Sequence, residues 1–212
     1  MSLQTVPFTE GTVVGYLHRP ERAVRAVLVL THGAGGNCEG KLLIGMADAL
    51  TARNIAVLRC NLPFRQQRRT GPPFPAQAAA DREGLRAALT AMSQLFEARL
   101  LLGGHSYGGR QASMLAAEQP DLVSGLLLLS YPLHPPNKPQ QLRTGHFGSL
   151  RSPILFVHGT KDPFGSPEEL QEAIGTIPSG AELKQLKGAG HDLGREGFPA
   201  DEVAELFVNL LD

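Results

Sequence analysis

The chain has 212 residues, 42% of them hydrophobic, which is enough apolar sequence for one buried core and excludes a disordered chain. Its 20 basic residues equal its 20 acidic residues, so the balance argues against a nucleic-acid-binding protein, which usually has a strong basic excess. No apolar run approaches the roughly 20 residues of a membrane helix and no signal peptide is visible, so we expect neither membrane insertion nor a nucleic-acid partner.

The chain contains two cysteines, Cys38 and Cys60, and none of the CxxC or Cys/His spacings that are typical of a metal site. Two cysteines cannot form a disulfide framework, so we interpret them as ordinary thiols. This usage of cysteine favours a reducing, cytoplasmic location.

Short apolar segments alternate along the chain with longer segments that have a helical spacing of apolar residues. The predicted strands are 12–17, 26–30, 55–58, 100–104, 126–129, 154–157 and 182–186. The predicted helices are 41–53, 76–96, 111–118, a helix that begins with the capping-box sequence 166–169, and 201–211. Apolar strands separated by helices predict an α/β fold, with a mostly parallel sheet covered by helices on both faces and an antiparallel edge near the start. No linker is long enough to divide the chain, so we expect a single domain over residues 1–212.

The segment 104–108, Gly-His-Ser-Tyr-Gly, matches the pattern G-x-S-x-G between an apolar strand and a helical pattern. A nucleophile elbow requires that strand–turn–helix setting, because its serine occupies a tight, strained turn whose neighbours must be small. We therefore predict that Ser106 is a nucleophile with its hydroxyl exposed above the sheet. The alternative is a glycine-rich turn that holds an ordinary serine.

A serine hydroxyl needs a base, and the chain offers seven histidines. Only His191 follows the last predicted strand, in the glycine-containing loop 188–192, from which it can reach back over the sheet edge. His32 and His158 each end a strand, and we expect them to hold loops by hydrogen bonds. A metal site built from these two and His105 is disfavoured, because no carboxylate or cysteine accompanies them.

The base in turn needs a carboxylate that holds its tautomer and stabilises the imidazolium. No Asp or Glu occurs over residues 122–161, and Asp162 follows that segment directly after the strand 154–157. This places Asp162 at the carboxyl end of a strand, where ligands bind in open α/β sheets. Asp192 is a weaker candidate because it adjoins His191, and adjacent side chains rarely form the required hydrogen bond.

Two other groups of charged residues are interpreted as solvated. Asp48 and Asp81 lie on predicted helical faces, and both are expected to point into solvent. The loop 61–75 is rich in proline, glycine and arginine, and its basic run 65–69 is expected to be a solvated segment. Binding of an anionic ligand is the alternative for that run.

The tetrahedral intermediate of acyl transfer carries an oxyanion that needs donors placed in advance. One donor is expected to be the backbone N–H of Tyr107, which directly follows the serine. The second is expected from the glycine-rich loop 32–36 after the strand 26–30, and we assign it to the backbone N–H of Ala34. A plain glycine loop is the alternative.

The order Ser106, Asp162, His191 is that of the α/β-hydrolases, and the chain resembles small members of this family, of the dienelactone-hydrolase-like and carboxylesterase-like kinds. The segments 61–65 and 162–165 also resemble a bacterial branch of hydrolases related to animal α/β-hydrolase-like proteins of a chromatin acetyltransferase complex and of testis. The resemblance implies a sheet of about eight strands and a catalytic triad of these three residues. Dienelactone hydrolases use a cysteine nucleophile, whereas this chain has serine.

Many members of the family carry a cap domain after the sixth strand. Here 24 proline-rich residues separate Leu129 from Ile154, which is too short for a helical cap, so we expect a fairly open site walled by 131–139. The sequence thus predicts a cap-less serine hydrolase that cleaves a small acyl substrate, an ester or thioester, and needs no metal or organic cofactor. The alternative is a non-catalytic interaction or scaffold module that retains the hydrolase fold.

Overall fold

The computed structural model of the protein describes residues 4–194 and 197–212, which form one eight-stranded sheet flanked by helices. The strands are β1 Gln4–Glu10, β2 Val13–Arg19, β3 Ala26–Thr31, β4 Ile55–Cys60, β5 Arg99–His105, β6 Leu126–Leu129, β7 Ile154–Gly159 and β8 Glu182–Leu186. Their order across the sheet is β1-β2-β4-β3-β5-β6-β7-β8. β1, β2 and β4 pair antiparallel in turn, and the strands from β3 to β8 are parallel to their neighbours. The predicted sheet with an antiparallel edge is confirmed.

Six helices occur in the described part of the chain. They are α1 Lys41–Thr51, α2 Pro63–Gln67, α3 Ala78–Leu95, α4 Tyr107–Glu118, α5 Pro167–Ile174 and α6 Ala200–Leu211. Short 3-10 turns are present at Pro75–Gln77 and Phe147–Ser149. The predicted capping box is present, since Ser166 Oγ accepts from the N–H of Glu169 and the Glu169 carboxylate accepts from the N–H of Ser166.

Helices cover both faces of the sheet. Alternate residues of the buried strands point to opposite faces and pack in two separate cores, one under each layer of helices. Val27 and Val29 of β3 pack in the core that includes residues of α3, α4 and α5, whereas Leu28 and Leu30 pack in the core beneath α1 and α6. All four of these side chains are fully buried. The two cores fix the central strands, so the loops at their carboxyl ends start from defined positions.

The sequence prediction differs from the structure at several places, one of which is α2, a helix within the segment predicted to be the loop 61–75. It missed β1, since this edge strand is largely polar and buries only Phe8, and it placed the start of α4 at Gln111 instead of Tyr107. The first turn of α4 was not predicted because it contains Gly108 and Gly109, and glycine has a low helix propensity.

The segment after β6, residues 130–153, contains only the short turn Phe147–Ser149, so the expected absence of a helical cap holds here. Among the residues described, no helix is long and apolar enough to cross a membrane.

Candidate active site

Ser106 lies at the sharp turn between β5 and α4. Its backbone has φ of 52° and ψ of −117°, a region that non-glycine residues seldom adopt. The turn is held by two backbone hydrogen bonds: the N–H of Ser106 donates to Leu129 O at 2.8 Å, and the N–H of Arg110 donates to Ser106 O at 3.0 Å. A residue held in such a conformation by its surroundings is typical of functional sites. The strand–turn–helix setting predicted for the nucleophile elbow is present.

Glycine is required at position 104 because the helix start packs against the strand end. A Cβ on Gly104 would lie 2.7 Å from the backbone of both Gly108 and Gly109 and 3.0 Å from Thr31 O. These neighbours are backbone atoms that cannot rotate away. The glycines therefore permit the close approach of β5 and α4 that raises Ser106 above the sheet.

Ser106, His191 and Asp162 form a hydrogen-bonded chain. The Ser106 hydroxyl lies 2.7 Å from Nε2 of His191, and Nδ1 of the same ring lies 2.7 Å from Oδ2 of Asp162. The Asp162 side chain is fully buried, and its other oxygen accepts from the N–H of Phe164 at 2.9 Å. A carboxylate at Nδ1 favours the tautomer with its hydrogen there, which leaves Nε2 free to accept a proton. The structure thus brings together the three residues predicted to be catalytic.

The loop that carries His191 is tied to the loop after β7. Lys161 N–H donates to Ala189 O at 2.9 Å, and Gly188 N–H donates to the Thr160 hydroxyl at 2.8 Å. A Cβ at Gly159 would collide with the carbonyl oxygens of Ala189 and Gly190, so only glycine lets this loop pack over the end of β7. These contacts fix the separation between His191 and Asp162.

Two aromatic side chains, Phe164 and His105, hold His191 in place. Phe164 lies against it, with ring centroids 4.2 Å apart and an angle of 34° between the planes. His105 Nε2 lies 2.8 Å from the backbone O of His191, and burial lowers the pKa of His105. His105 therefore holds the backbone and Phe164 the ring, although neither side chain was given a role from the sequence.

The loop with Ala34 is organised by Arg65, contrary to the sequence interpretation. The Arg65 side chain was expected in a solvated loop, but it belongs to α2, is only 6% exposed and binds backbone carbonyls. Its guanidinium donates to Ala34 O and Gly36 O at 2.7 Å each and to Gly71 O at 3.0 Å. The N–H groups of Ala34 and Tyr107 form no hydrogen bond with any described residue. Both donors thus remain available to a ligand.

Asp81 was expected to be solvated and is fully buried instead. Its carboxylate accepts from the Tyr107 hydroxyl at 2.7 Å and from the N–H of Phe64 at 3.0 Å. Burial raises the pKa of Asp81, while these two hydrogen bonds oppose that rise. The sequence did contain the signal, since Asp81 precedes Leu85 by one helical turn on the apolar stripe of α3.

A cavity of about 520 Å³ opens beside Ser106. Ala34 and Tyr107 contribute to its lining near the serine, and the segment 131–139 contributes Pro132. A second wall, absent from the sequence prediction, consists of residues 72–75 and includes Phe74, which is 60% exposed. The remaining lining residues are Ala78, Arg110, Gln111, Met114, Arg143 and Phe164.

His32, His158 and the two cysteines are buried outside the hydrogen-bonded chain of Ser106. His32 donates from Nδ1 to Gly33 O and accepts at Nε2 from the N–H of Leu62, and His158 contacts Gly165 O through Nε2, as expected of loop-holding residues. Cys38 and Cys60 are buried and form no disulfide, and burial raises the pKa of their thiols to about 11 and about 12. In residues 4–194 and 197–212 no group of three or more His, Cys, Asp or Glu is placed to hold a metal ion.

Comparison with known proteins assigns the family. A sequence model described as an alpha/beta hydrolase domain matches residues 24–205, which is most of the chain. The chain belongs to the α/β-hydrolase family. Its fold agrees with that of two solved structures. The first is TT1662 from Thermus thermophilus, with a TM-score of 0.79 and 20% identity, and the match covers 100% of this chain and 99% of the other. The second is dienelactone hydrolase from Anabaena variabilis, with a TM-score of 0.72 and 21% identity, and the match covers 97% of this chain and 94% of the other.

Among curated proteins, this α/β-hydrolase is 32% identical over 127 residues to human (lyso)-N-acylphosphatidylethanolamine lipase. The match covers 58% of this chain and 36% of the human protein, so the chain spans about a third of that relative's length. The family model supports a hydrolase activity.

Proposed function

We propose that the protein is a serine hydrolase that cleaves a small carboxylic ester or thioester through an acyl-enzyme on Ser106. The observation that carries the proposal is the chain of two 2.7 Å hydrogen bonds from Ser106 through His191 to the buried Asp162. Its placement beside a cavity, on a serine with positive φ, is the further support. Catalysis in this proposal uses only the groups of the chain, without a metal or organic cofactor.

In the first half of the reaction, Ser106 Oγ attacks the acyl carbon while His191 Nε2 takes the hydroxyl proton. Asp162 accepts from Nδ1–H and stabilises the imidazolium that forms. The N–H groups of Ala34 and Tyr107 donate to the oxyanion of the tetrahedral intermediate. His191 then returns the proton to the leaving alcohol or thiol, and the carbon–oxygen or carbon–sulfur bond breaks.

In the second half, water attacks the acyl-enzyme. His191 takes one proton of the water, the oxyanion forms again between the same two N–H groups, and the proton passes to Ser106 Oγ as the ester bond to serine breaks. The product is a carboxylic acid, and Ser106 is restored. The relative named as a lipase supports an ester as substrate class. The cytoplasmic location is proposed from the use of cysteine alone.

Replacing Ser106 with alanine tests the proposal. We expect S106A to fold with unchanged circular dichroism and thermal midpoint, and to lose at least about a thousandfold in kcat for p-nitrophenyl butyrate, since removing one member of a triad costs several orders of magnitude. The matched control is S113A, because Ser113 is a buried serine of α4 that lies away from the hydrogen-bonded chain.

A fluorophosphonate probe separates this proposal from the scaffold alternative. Wild-type protein and S113A should be labelled, and S106A should not, because the probe requires an activated serine. A wild-type protein that is neither labelled nor active on any ester, thioester or lactone would be a scaffold that retains the fold. Activity unchanged in S106A would also contradict the proposal.

A further inference from the structure

Two arginines line the cavity beside Ser106 without a carboxylate partner. Arg110 lies four residues after Ser106 on α4, and Arg143 lies in the segment after β6. Neither side chain forms an ion pair among the described residues. Arg110 Nε is buried and has no hydrogen-bond partner there. An orphaned charged donor inside a cavity costs free energy unless a ligand satisfies it.

A second buried donor without a partner lies at the same cavity. Gln111 is fully buried, and its Oε1 accepts from Arg82 at 3.0 Å, which fixes the orientation of its amide. Its Nε2 has no partner. The cavity thus contains the donor groups of Arg110, Gln111 and Arg143, and none of its lining side chains is acidic.

The two segments that supply the walls of the cavity contain no acidic residues. Net charge over the whole chain is zero, yet no Asp or Glu occurs over residues 49–80 or 122–161, the two segments that supply the walls 72–75 and 131–143. Asp81 and Asp162 adjoin the site, but their buried carboxylates are bound by Tyr107 and His191. The charged side chains in the cavity lining are therefore the two arginines, which attract anions.

Both arginines are held in place by their backbone. The N–H of Arg143 donates to Leu133 O at 2.8 Å, and its carbonyl accepts from the Tyr131 hydroxyl at 2.6 Å. Arg110 is anchored in the first turn of α4. Arg110 and Arg143 line the same cavity, and burial, followed by the positive charge of Arg110, lowers the pKa of Arg143. Two adjacent cations repel, and a shared anion relieves that repulsion.

We infer that the natural substrate carries an anionic oxygen group, a carboxylate or a phosphate, that binds between Arg110 and Arg143 while its carbonyl lies at Ser106. Arginine presents paired N–H donors that match the oxygens of either anion. The Gln111 amide supplies a further donor. This inference rests on the proposed function, since it names the substrate class of the same site.

Matched ester pairs test the inference. On the acyl side, mono-p-nitrophenyl adipate is compared with its neutral methyl ester, and a 5-phosphonopentanoyl ester tests phosphate-like oxygens. On the alcohol side, the butyrate ester of 4-hydroxyphenylacetate is compared with its methyl ester. We expect kcat/KM to favour the anionic member of at least one pair by about tenfold or more, the value of a charge-assisted hydrogen bond. The anion that gives the higher kcat/KM then shows whether the anionic group of the substrate is a carboxylate or a phosphate.

Charge-removing variants assign the preference to the two arginines. In R110Q and in R143Q the ratio of anionic to neutral kcat/KM should fall towards one. The control is K138Q, which removes a positive charge from the same acid-free segment at an exposed residue outside the cavity and should keep the wild-type ratio. Equal turnover of the anionic and neutral esters by wild type would overturn the inference, as would a preference that survives in both arginine variants.

Calorimetry on S106A separates a failure of this inference from a failure of the proposed function. Monomethyl adipate should bind to S106A more tightly than dimethyl adipate, by about tenfold or more, and this difference should disappear when R110Q is added. Binding with this preference but no hydrolysis by wild type would overturn the proposed function alone. Hydrolysis of neutral esters without this preference would overturn the anion site alone.

Discussion

At the scale of single residues, the site depends on side chains that hold backbone atoms. Arg65 binds the carbonyls of the loop with Ala34, Asp81 binds the Tyr107 hydroxyl, and His32 joins two loops through its two ring nitrogens. Each of these side chains is nearly or fully buried. Because the proposed oxyanion donors are backbone N–H groups, such contacts determine where those donors lie.

Protonation of His32 is expected to destabilise the fold. Burial lowers the pKa of His32 from its usual 6.5 to about 4, and the N–H of Leu62 donates to the lone pair that a proton would occupy. The unfolded chain therefore binds this proton more readily, so the free energy of unfolding should fall by roughly 3 kcal/mol as the pH drops from 6.5 to 4.

Urea unfolding at a series of pH values measures this effect. The variant H32Q should show a weaker dependence of unfolding free energy on pH in that window, since it lacks the titrating ring. The dependence that remains includes His146, because its own burial, and then Arg110, lower its pKa to about 4 as well. An identical slope in wild type and H32Q would contradict the prediction.

At the scale of elements, the contribution of Arg65 can be measured through the loop that it holds. In R65M the carbonyls of Ala34, Gly36 and Gly71 lose their shared donor, so the loop 33–36 should shift relative to Ser106. Losing an oxyanion donor costs on the order of 10²–10³ in kcat, and a displaced donor should cost about 10- to 100-fold. KM should change much less, because the cavity walls remain.

The control for R65M is R69M, since Arg69 belongs to the same basic run and is exposed. R65K should restore part of kcat, because lysine supplies a charge and donors without the planar fork of arginine. If R65M lowered the thermal midpoint and KM rose while kcat stayed at the wild-type value, Arg65 would have a structural role only.

The sequence identified seven of the eight strands and missed the strand β1 and the helix α2. β6 and β8 agree with their predicted bounds, and the elbow at Ser106 was found because its glycines mark a local steric requirement. That Asp162 and His191 meet near Ser106 was predicted from chain order and the position of strand ends. The edge strand β1 and the helix α2 were not predicted, because their stability comes from tertiary contacts that a local sequence pattern does not show.

At the scale of the whole molecule, the parallel strands bring loops from distant parts of the chain together at their carboxyl ends. Ser106 follows β5, Asp162 follows β7, and His191 follows β8, so parallel strand order alone predicts that they meet. The wall 72–75 was not predictable in this way. It depends on Arg68, whose guanidinium lies 4.5 Å from the Phe74 ring centroid and donates to Pro72 O, and on Gln77, which accepts from the N–H of Phe74.

The size and walls of the cavity limit the acyl chain that can gain by binding. Each methylene buried against Phe74, Met114 or the prolines should add roughly 0.8 kcal/mol until the chain leaves the cavity of about 520 Å³ or reaches Arg110 and Arg143. In a series of p-nitrophenyl esters we therefore expect kcat/KM to be highest for short chains, about C2 to C6, and to be lower for C12 to C16. The matched variant F74A removes one apolar wall and should flatten the rise within the short chains. A kcat/KM that still increases at C12 would reveal a long apolar groove and would favour a lipase.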